Sequence, residues 1–332
     1  MHKWTLHKLG DVITSNNQSI GKEYPHQKIL YLDTGSITRG EIDSFQEFSL
    51  KDAPSRAKRL VKNNNIIYST VRPIQRHYGF IVNPLPNFVV STGFSVIETN
   101  QELAKPLYIY YFLTSDEIVE TLDIIADGST SAYPSLKPSD IEKLEILLPP
   151  LPEQKEIASV LSSLDDKIGL LHRQNKTLEA MAETLFRQWF VEEAQEDWDE
   201  KPLGDIATVQ NGYAFSSRDY VANQIGHLEV FKMGHIEPGG GLRYSPKSDF
   251  VPRTEKLKQW ILSEGDIVMA MTDMKDSMGI LGHPAMIDKS DTYVLNQRVA
   301  RIYLNGDESL INNHFLYLQL KTDIAIAVIQ SK

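Results

Sequence analysis

The chain has 332 residues, which is long for a single hydrophobic core because domains usually have about 100 to 200 residues. Its 34 basic and 44 acidic side chains give a formal charge of −10, which argues against nonspecific binding of nucleic acid by the whole chain. The absence of cysteine excludes disulfides, thiolate zinc sites and cysteine nucleophiles. No stretch approaches the roughly 18 apolar residues of a membrane span. These features predict a cytoplasmic protein that does not contact a membrane.

An internal repeat organises the chain. Trp4 and Leu9-Gly10-Asp11 recur 194 residues later as Trp198 and Leu203-Gly204-Asp205. Further matched pairs are Gly35-Ser36-Ile37 with Gly234-His235-Ile236, Asn65-Ile66-Ile67-Tyr68 with Asp266-Ile267-Val268-Met269, and Leu107–Asp116 with His314–Asp323. Self-similarity of this kind indicates two copies of one domain. Duplication for stability alone is the alternative to two copies that present different loops.

Each copy combines strand and helix signals. Short β-rich runs at 65–71 and 88–99 are bounded by Gly, Pro and Asn, which favour turns. A helix-like stretch follows at 106–125, and its equivalent in the second copy is 312–329. The mixture predicts an α+β domain in each copy.

The central segment carries the signals of one long helix. Pro152 stands where the first helical position prefers proline, and between it and Glu193 the only glycine is Gly169. Apolar residues there alternate in steps of three and four, the pattern of a coiled-coil seam in which Asn175 would set the register. The predicted seam residues are Leu161, Leu164, Ile168, Leu171, Asn175, Leu178 and Leu185. Such a seam needs a partner helix from the same chain, a second copy or another protein; a linker helix packed on its own domains is the alternative.

These signals predict three regions. The first domain covers residues 1–150, the central helix 151–196 and the second domain 197–332. The second copy stops near the equivalent of Ile125, so we expect it to be incomplete at its C-terminal end. The predicted fold class is therefore α+β, with two repeated globular domains joined by a long coiled-coil spacer helix.

Two local clusters of basic residues offset the overall acidity. Residues 51–76 contain seven basic side chains against one acid, and residues 243–258 contain five against two, interleaved with Tyr244 and Phe250. Clustered lysine and arginine provide the phosphate-binding part of DNA affinity. Because the clusters occupy similar places in the two copies, we interpret them as DNA-binding segments. A solvated charged face is the alternative.

The sequence offers little catalytic chemistry. Asp140 and Glu153-Gln154-Lys155 could suggest a nuclease, but they lie on either side of a proline-rich hinge, and helix capping accounts for Glu153 better. Gly239-Gly240-Gly241 lacks the Gly-Lys-Ser/Thr of a phosphate-binding loop, and Asn83-Pro84-Leu85-Pro86 resembles a methyltransferase motif only loosely. We therefore predict that the chain has no catalytic residues, no metal site and no cofactor.

The combined pattern resembles a known family. Two divergent copies that each open Trp-x4-Leu-Gly-Asp, with Leu147–Ile157 (LLPPLPEQKEI) leading into a heptad helix, are similar to the DNA-specificity subunit of type I restriction-modification systems. The resemblance implies two target-recognition domains that bind the halves of a bipartite double-stranded DNA site, separated by a spacer of two antiparallel helices. It also implies two methyltransferase subunits and ATP-driven restriction subunits as partners, which would hold S-adenosylmethionine, ATP and Mg²⁺.

The resemblance also indicates candidate DNA-binding residues. The family's Gly-Asp-Ile/Val strand and its following loop match 265–279 and, more loosely, 65–79, where Asn64-Asn65 replaces Gly-Asp. The candidates in these loops are Thr70, Arg72, Arg76, Thr272 and Lys275; those elsewhere are Arg39, Lys58, Arg59, Lys62, Arg243, Lys256 and Arg298.

Members of the family carry a second spacer helix after the second domain, whereas this sequence ends at Lys332. We therefore expect a second copy or another chain to supply that helix. The alternatives to DNA recognition are an assembly scaffold without DNA contact and, least favoured, a nuclease or methyltransferase acting alone.

Overall fold

The computed structural model describes residues 4–128, 134–198, 201–221, 225–244, 246–273, 279–305 and 311–331. The chain divides into two compact units, Met1–Gly169 (unit 1) and Leu170–Lys332 (unit 2). Among the described residues, none of the helices is both long and apolar enough to cross a membrane.

Unit 1 is built on two four-stranded sheets. Its described strands are β1 (Thr5–Lys8), β2 (Ile13–Ser15), β3 (Lys28–Leu32), β4 (Ile37–Thr38), β5 (Glu41–Ile42), β6 (Gln46–Ser49), β7 (Ala57–Leu60), β8 (Ile66–Ser69), β9 (Tyr78–Phe80), β10 (Phe88–Ser91), β11 (Phe94–Thr99) and β12 (Glu145–Leu148). The sheet orders are β6-β3-β10-β7 and β2-β11-β8-β9, and β1 pairs with β12. The β3–β10 pair is parallel, whereas β8 lies antiparallel between β11 and β9. All four residues of β8 are buried, as expected for a central strand of continuous apolar sequence.

The helical part of unit 1 differs from the sequence prediction in one respect. The stretch predicted as one helix over 106–125 forms two, α1 (Pro106–Thr114) and α2 (Asp116–Asp127). Ser115 between them has an extended backbone, and the acidic residues that follow it favour the start of a new helix. A short helix α3 (Pro138–Glu142) packs with them, and Leu9, Ile109 and Ile141 share one fully buried core.

Unit 2 repeats this arrangement. Its described strands are β13 (Ala207–Asn211), β14 (His227–Phe231), β15 (Phe250–Pro252), β16 (Ile267–Ala270), β17 (Pro284–Met286), β18 (Tyr293–Leu295) and β19 (Val299–Leu304). The order β13-β19-β16-β17 reproduces β2-β11-β8-β9, and β14–β18 is parallel like β3–β10. Its helices are α5 (Leu203–Ile206), α6 (Asn313–Leu320) and α7 (Asp323–Gln330). The predicted repeat is therefore present in the fold.

The turn before the central strand is the same in both units despite its different sequence. Asn64 and Gly265 both adopt left-handed backbone, with φ of 66° and 84°. The side chain of Asn65 accepts a hydrogen bond from Lys62 N–H at 2.7 Å, and Asp266 accepts one from Ser263 N–H at 2.8 Å. Asparagine is the non-glycine residue that tolerates left-handed backbone best, and an amide oxygen accepts as a carboxylate does. Asn64-Asn65 is thus a structural equivalent of Gly-Asp.

The long central helix α4 (Leu151–Arg187) starts as predicted and ends in a π-helical turn over Gln188–Glu192. Its first turn is fixed to unit 1 by Gln154, which is 1% exposed and donates to the carbonyl oxygen of Pro149 at 2.8 Å. In unit 2, the ammonium of Lys321 lies 2.9 Å from Glu179 and also pairs with Glu183.

The predicted seam of α4 lies on the surface. Its apolar members are exposed, from 37% at Leu161 to 62% at Leu178, and Asn175 is exposed as well. An amphipathic helix normally covers such a stripe against a neighbour. The predicted fold class, α+β with two repeated units and a long central helix, is confirmed by the structure. The partner of the seam remains a prediction.

Candidate DNA interface

The loop that leaves β8 carries three of the predicted DNA-binding residues of unit 1. Thr70 and Arg72 follow β8, a 3-10 turn occupies Pro73–Gln75, and Arg76 precedes β9. Arg72 and Arg76 both have left-handed backbone, with φ of 46° and 57°. Non-glycine residues hold that conformation only where the surrounding structure imposes it, and such residues cluster at functional sites.

The turn between β4 and β5 adds a third arginine to this loop. Arg39 has a φ of 49°, and its N–H donates to the carbonyl oxygen of Arg76 at 2.8 Å. The next N–H, from Gly40, donates to the carbonyl oxygen of Tyr78. Arg39 and Arg72 are exposed, so their guanidinium groups lie at the surface of the same edge of the unit. The structure therefore brings Arg39, Arg72 and Arg76 together.

Helix α2 is joined to this loop by two hydrogen bonds. Asp123 accepts a hydrogen bond from Ile74 N–H at 3.0 Å, and Asp116 accepts one from Arg76 Nη1 at 2.7 Å. Burial alone would lower the pKa of Arg76, but its hydrogen bonds with Asp116 and Tyr78 raise it. Arg76 is consequently a fixed, fully charged group, whereas Arg72 is exposed.

Thr70 has a structural role in the same loop. Its N–H and its hydroxyl both donate to the carbonyl oxygen of Gly93, at 2.8 and 2.9 Å. Gly93 lies in the tight turn between β10 and β11, so Thr70 ties that turn to the end of β8. The hydroxyl proton is used inside the protein, which leaves only the oxygen lone pairs for DNA.

The other predicted residues of unit 1 lie elsewhere. Lys62 precedes β8 and therefore sits at the opposite end of that strand from Thr70, where it approaches Glu98 at 3.9 Å. Lys58 and Arg59 lie on β7, at the edge of the other sheet. Lys58 is exposed, but Arg59 is half-buried and burial lowers the pKa of its guanidinium. These residues do not join the arginine loop.

In unit 2 the turn between β18 and β19 corresponds to the β10–β11 turn of unit 1 that contains Gly93. Met271 N–H donates to the carbonyl oxygen of Arg298 at 2.9 Å, just as Thr70 N–H donates to that of Gly93. Gln297 and Arg298 are both exposed on this turn. Where unit 1 has Thr92-Gly93, unit 2 therefore presents an amide and a guanidinium.

Aromatic residues and a lysine surround this turn. Tyr213 N–H donates to the carbonyl oxygen of Leu295, and Gln297 N–H donates to that of Tyr213. The ammonium of Lys256 hydrogen-bonds the Tyr213 hydroxyl and lies 4.7 Å from the centre of its ring. Trp260 packs against Tyr213 with ring centres 5.0 Å apart. Lys256, Tyr213 and Trp260 therefore form one cluster of aromatic and cationic groups beside this turn.

The remaining candidates of unit 2 are less clearly grouped. The hydroxyl of Thr272 donates to the sulfur of Met233 at 3.0 Å, close to the end of β16. Arg243 is half-buried and lies 3.7 Å from Glu237. Lys275 lies outside the described residues.

A buried hydrogen-bond network supports the loop that carries Arg243. His235 is 2% exposed; its Nδ1 accepts from Lys232 N–H, so its Nε2 donates to Glu229 at 3.0 Å. Ser248 also donates to Glu229. Burial alone would raise the pKa of Glu229, but these hydrogen bonds lower it below its ordinary value. The network ties β14 to the segment that leads into β15.

Sequence reasoning missed two contributors to these surfaces. Asp116 was not singled out because its contact with Arg76 is 40 positions away along the chain. Gln297 was not singled out because only the fold places it on the turn that corresponds to Gly93. Within the described parts of the chain, no group of three or more His, Cys, Asp or Glu side chains could hold a metal ion.

Comparison with known proteins identifies the family. The family model of the type I restriction modification DNA specificity domain matches residues 1–180 and again residues 195–332. This chain belongs to that family. The assignment confirms the expected resemblance to the specificity family of type I restriction-modification systems.

Curated members of the type I specificity family show similarity over part of their length. The HindI specificity subunit of Haemophilus influenzae is 32% identical over 193 residues, covering 58% of this chain and 42% of the relative. The MjaVIII specificity subunit of Methanocaldococcus jannaschii is 26% identical over 255 residues, covering 71% and 56%. The chain thus spans about half the length of these relatives. Among solved structures, the HsdS subunit from Thermoanaerobacter tengcongensis is 21% identical, with a TM-score of 0.45 over 98% of this chain and 83% of that one.

Proposed function

We propose that this chain recognises a specific double-stranded DNA sequence as the non-catalytic specificity subunit of a type I restriction-modification complex. One observation carries the proposal. At the same edge of two equivalent sheets, unit 1 presents Arg72 and Arg76, whereas unit 2 presents Gln297 and Arg298. Arginine and glutamine make paired hydrogen bonds to the edges of guanine and adenine in the major groove. Two similar scaffolds with different side chains suit a bipartite, asymmetric site.

We infer the organisation of the complex from family membership and the seam of α4. Residues 1–150 and 197–332 act as target-recognition domains, and residues 151–196 as the spacer between them. The exposed apolar seam pairs with a second helix, supplied by a second copy of the chain or by another subunit.

The catalytic partners follow from the same family membership. Two methyltransferase subunits and the restriction subunits assemble on this chain in the cytoplasm and hold S-adenosylmethionine, ATP and Mg²⁺. The net charge of −10 supports a subunit that gains DNA affinity only when such partners bind.

The test is selection of bound sequences from a random duplex library by the chain reconstituted with its methyltransferase subunits. We expect enrichment of a two-part sequence. Arg72→Ala should relax base preference in one half and Gln297→Ala in the other, each costing about 1 to 3 kcal/mol at the affected position. Lys167→Ala, which removes an exposed cation of α4, is the control and should leave both halves unchanged.

Other outcomes would favour the alternatives. If no sequence is enriched and the methyltransferase still assembles, the chain is a scaffold without DNA contact. If the purified chain cuts or methylates DNA without partners, it is an enzyme in its own right. If both variants weaken binding equally on every sequence, the two side chains contact phosphates rather than bases.

A further inference from the structure

One exposed apolar side chain lies in the middle of the arginine loop of unit 1. Ile74 is 49% exposed and is the central residue of the 3-10 turn Pro73–Gln75. Arg72 precedes this turn and Arg76 follows it, both with left-handed backbone. A single exposed isoleucine is common on protein surfaces, so exposure alone indicates no function. The position between two arginines distinguishes Ile74 from such residues.

Hydrogen bonds fix the backbone on both sides of Ile74. Gln75 N–H donates to the carbonyl oxygen of Arg72 at 2.9 Å, and Arg76 N–H donates to that of Pro73 at 2.8 Å. The N–H of Ile74 itself donates to the Asp123 carboxylate of α2 at 3.0 Å. Pro73 is buried and anchors the turn to the unit. The backbone of Ile74 is therefore held in one place while the residue remains exposed.

The side chain of Ile74 is also stiff. Isoleucine is branched at Cβ, and this branching restricts its first side-chain torsion. A stiff side chain on a fixed backbone loses little conformational freedom when a ligand covers it. Covering it with another apolar group removes both surfaces from water, which is favourable. Ile74 is thus suited to contact one apolar group at a defined position.

The chemistry of DNA limits which apolar group this can be. In the major groove, the C5 methyl of thymine is the apolar group that a base edge presents, and apolar side-chain groups contact it. Arg72 and Arg76 flank Ile74, so Ile74 enters the groove that they enter, and arginine reads guanine in the major groove. Aliphatic wedges between base steps belong to proteins that bind the minor groove. The flanking arginines therefore favour a methyl contact over a wedge.

We propose that Ile74 is a specificity-determining residue that contacts the C5 methyl group of a thymine in the half-site read by unit 1. The proposal rests on the proposed function and adds to it the base that one side chain selects. The thymine lies close to the base pair that Arg72 contacts, because the two residues are separated only by Pro73. Cytosine at that position lacks the methyl group and offers Ile74 no apolar partner.

Deoxyuridine is the probe, because it keeps every hydrogen-bonding group of thymine and lacks only the methyl. In the sequence selected by the chain with its methyltransferase subunits, each thymine of the half that Arg72→Ala relaxes is replaced singly by deoxyuridine. One replacement should weaken binding of the unaltered chain about fourfold, which corresponds to ~0.8 kcal/mol for one buried methyl-sized group. Ile74→Ala should bind both duplexes equally, and Ile74→Val should show an intermediate difference.

Val82→Ala is the matched control. Val82 is 64% exposed and follows β9, at the opposite end of that strand from Arg76. This variant should lose the same affinity on removal of the methyl as the unaltered chain. Because Ile74 is exposed and alanine keeps the N–H that Asp123 accepts, the midpoint of urea denaturation should not change in Ile74→Ala.

Three results would overturn the proposal. The selected half could contain no thymine, no thymine in it could respond to the replacement, or Ile74→Ala could lose as much affinity as the unaltered chain when the methyl is removed. Equal weakening of Ile74→Ala on every sequence would indicate a wedge or a general contact and would overturn it as well. If no sequence is selected at all, the proposed function fails. A selected sequence with any of the other results refutes the thymine contact alone.

Discussion

Arg76 and Asp116 form a 2.7 Å hydrogen-bonded ion pair that joins the β8–β9 loop to helix α2. The arginine side chain is 17% exposed and the aspartate 80% exposed, so the pair lies at the rim of the unit. Arg76 is thereby held in one orientation at the surface where Arg39 and Arg72 also emerge. Fixed orientation favours recognition of particular bases over attraction to phosphates in general.

Removal of Asp116 tests this role. We expect Asp116→Ala to reduce discrimination between specific and nonspecific DNA, because the Arg76 guanidinium would no longer be held. Its effect on the free energy of unfolding should stay below about 1 kcal/mol, since the Asp116 carboxylate is 80% exposed. Asp127→Ala is the control, as it removes an exposed acid from the same helix. If both variants change the specificity ratio alike in binding titrations, only net charge matters.

The left-handed residue before β8 supports a prediction about stability. Asn64→Ala should lower the free energy of unfolding of unit 1 by about 1 kcal/mol, because alanine tolerates positive φ poorly, whereas Asn64→Gly should preserve or raise it. Urea denaturation would measure both. Gln101→Ala, at an exposed position, is the control. Equal stability of the alanine and glycine variants would contradict the argument.

The sequence predicted the repeated architecture because some anchors of the repeat, such as Ile66-Ile67-Tyr68 and Ile267-Val268-Met269, are core residues whose types depend on burial. It predicted one helix over 106–125, since apolar periodicity continues through Ser115 while the chain direction changes there. It grouped Lys62 with Arg72 because they are close in sequence, although β8 carries them to opposite ends. The sequence did not indicate Gln297 as a DNA-binding candidate, because only the fold shows that its turn lies at the surface next to the end of β16.

The exposed seam of α4 predicts an assembly defect without a folding defect. Replacing Leu164 and Leu171 by lysine should abolish assembly through the helix, because charges in a paired seam are strongly unfavourable. The circular dichroism spectrum should not change, since both side chains are exposed in the chain by itself. Leu170→Lys, at an exposed apolar position off the seam, is the matched control. An unchanged complex of the seam variant in size-exclusion chromatography would exclude this role.

The network around Glu229 predicts a pH dependence in unit 2. Burial opposes ionisation of Glu229, but hydrogen bonds from His235 and Ser248 outweigh it and bring the pKa of Glu229 below its ordinary value. A carboxyl group whose pKa is lower in the folded chain than in the unfolded chain stabilises the fold at pH values above its unfolded pKa. This stabilisation is lost as the pH falls through the folded pKa. We expect Glu229→Gln to be less stable than the unaltered chain at pH 7, with the difference shrinking below about pH 4.5.

Urea denaturation at a series of pH values would measure this difference. Glu237→Gln, which removes a more exposed carboxylate of the same unit, is the matched control. A stability difference for Glu229→Gln that stays constant from pH 7 to acid conditions would contradict the linkage.

The equivalent turns before β8 and β16 have a consequence for how such chains diverge. Asn64-Asn65 and Gly265-Asp266 differ at both positions but satisfy the same backbone requirements. Either hybrid pair, Gly-Asn or Asn-Asp, keeps a left-handed first residue and an accepting second one. Single substitutions can therefore lead from one turn to the other through folded intermediates. Two domains of common origin can lose recognisable sequence identity at such points while their outward-facing loops evolve separately toward different DNA sequences.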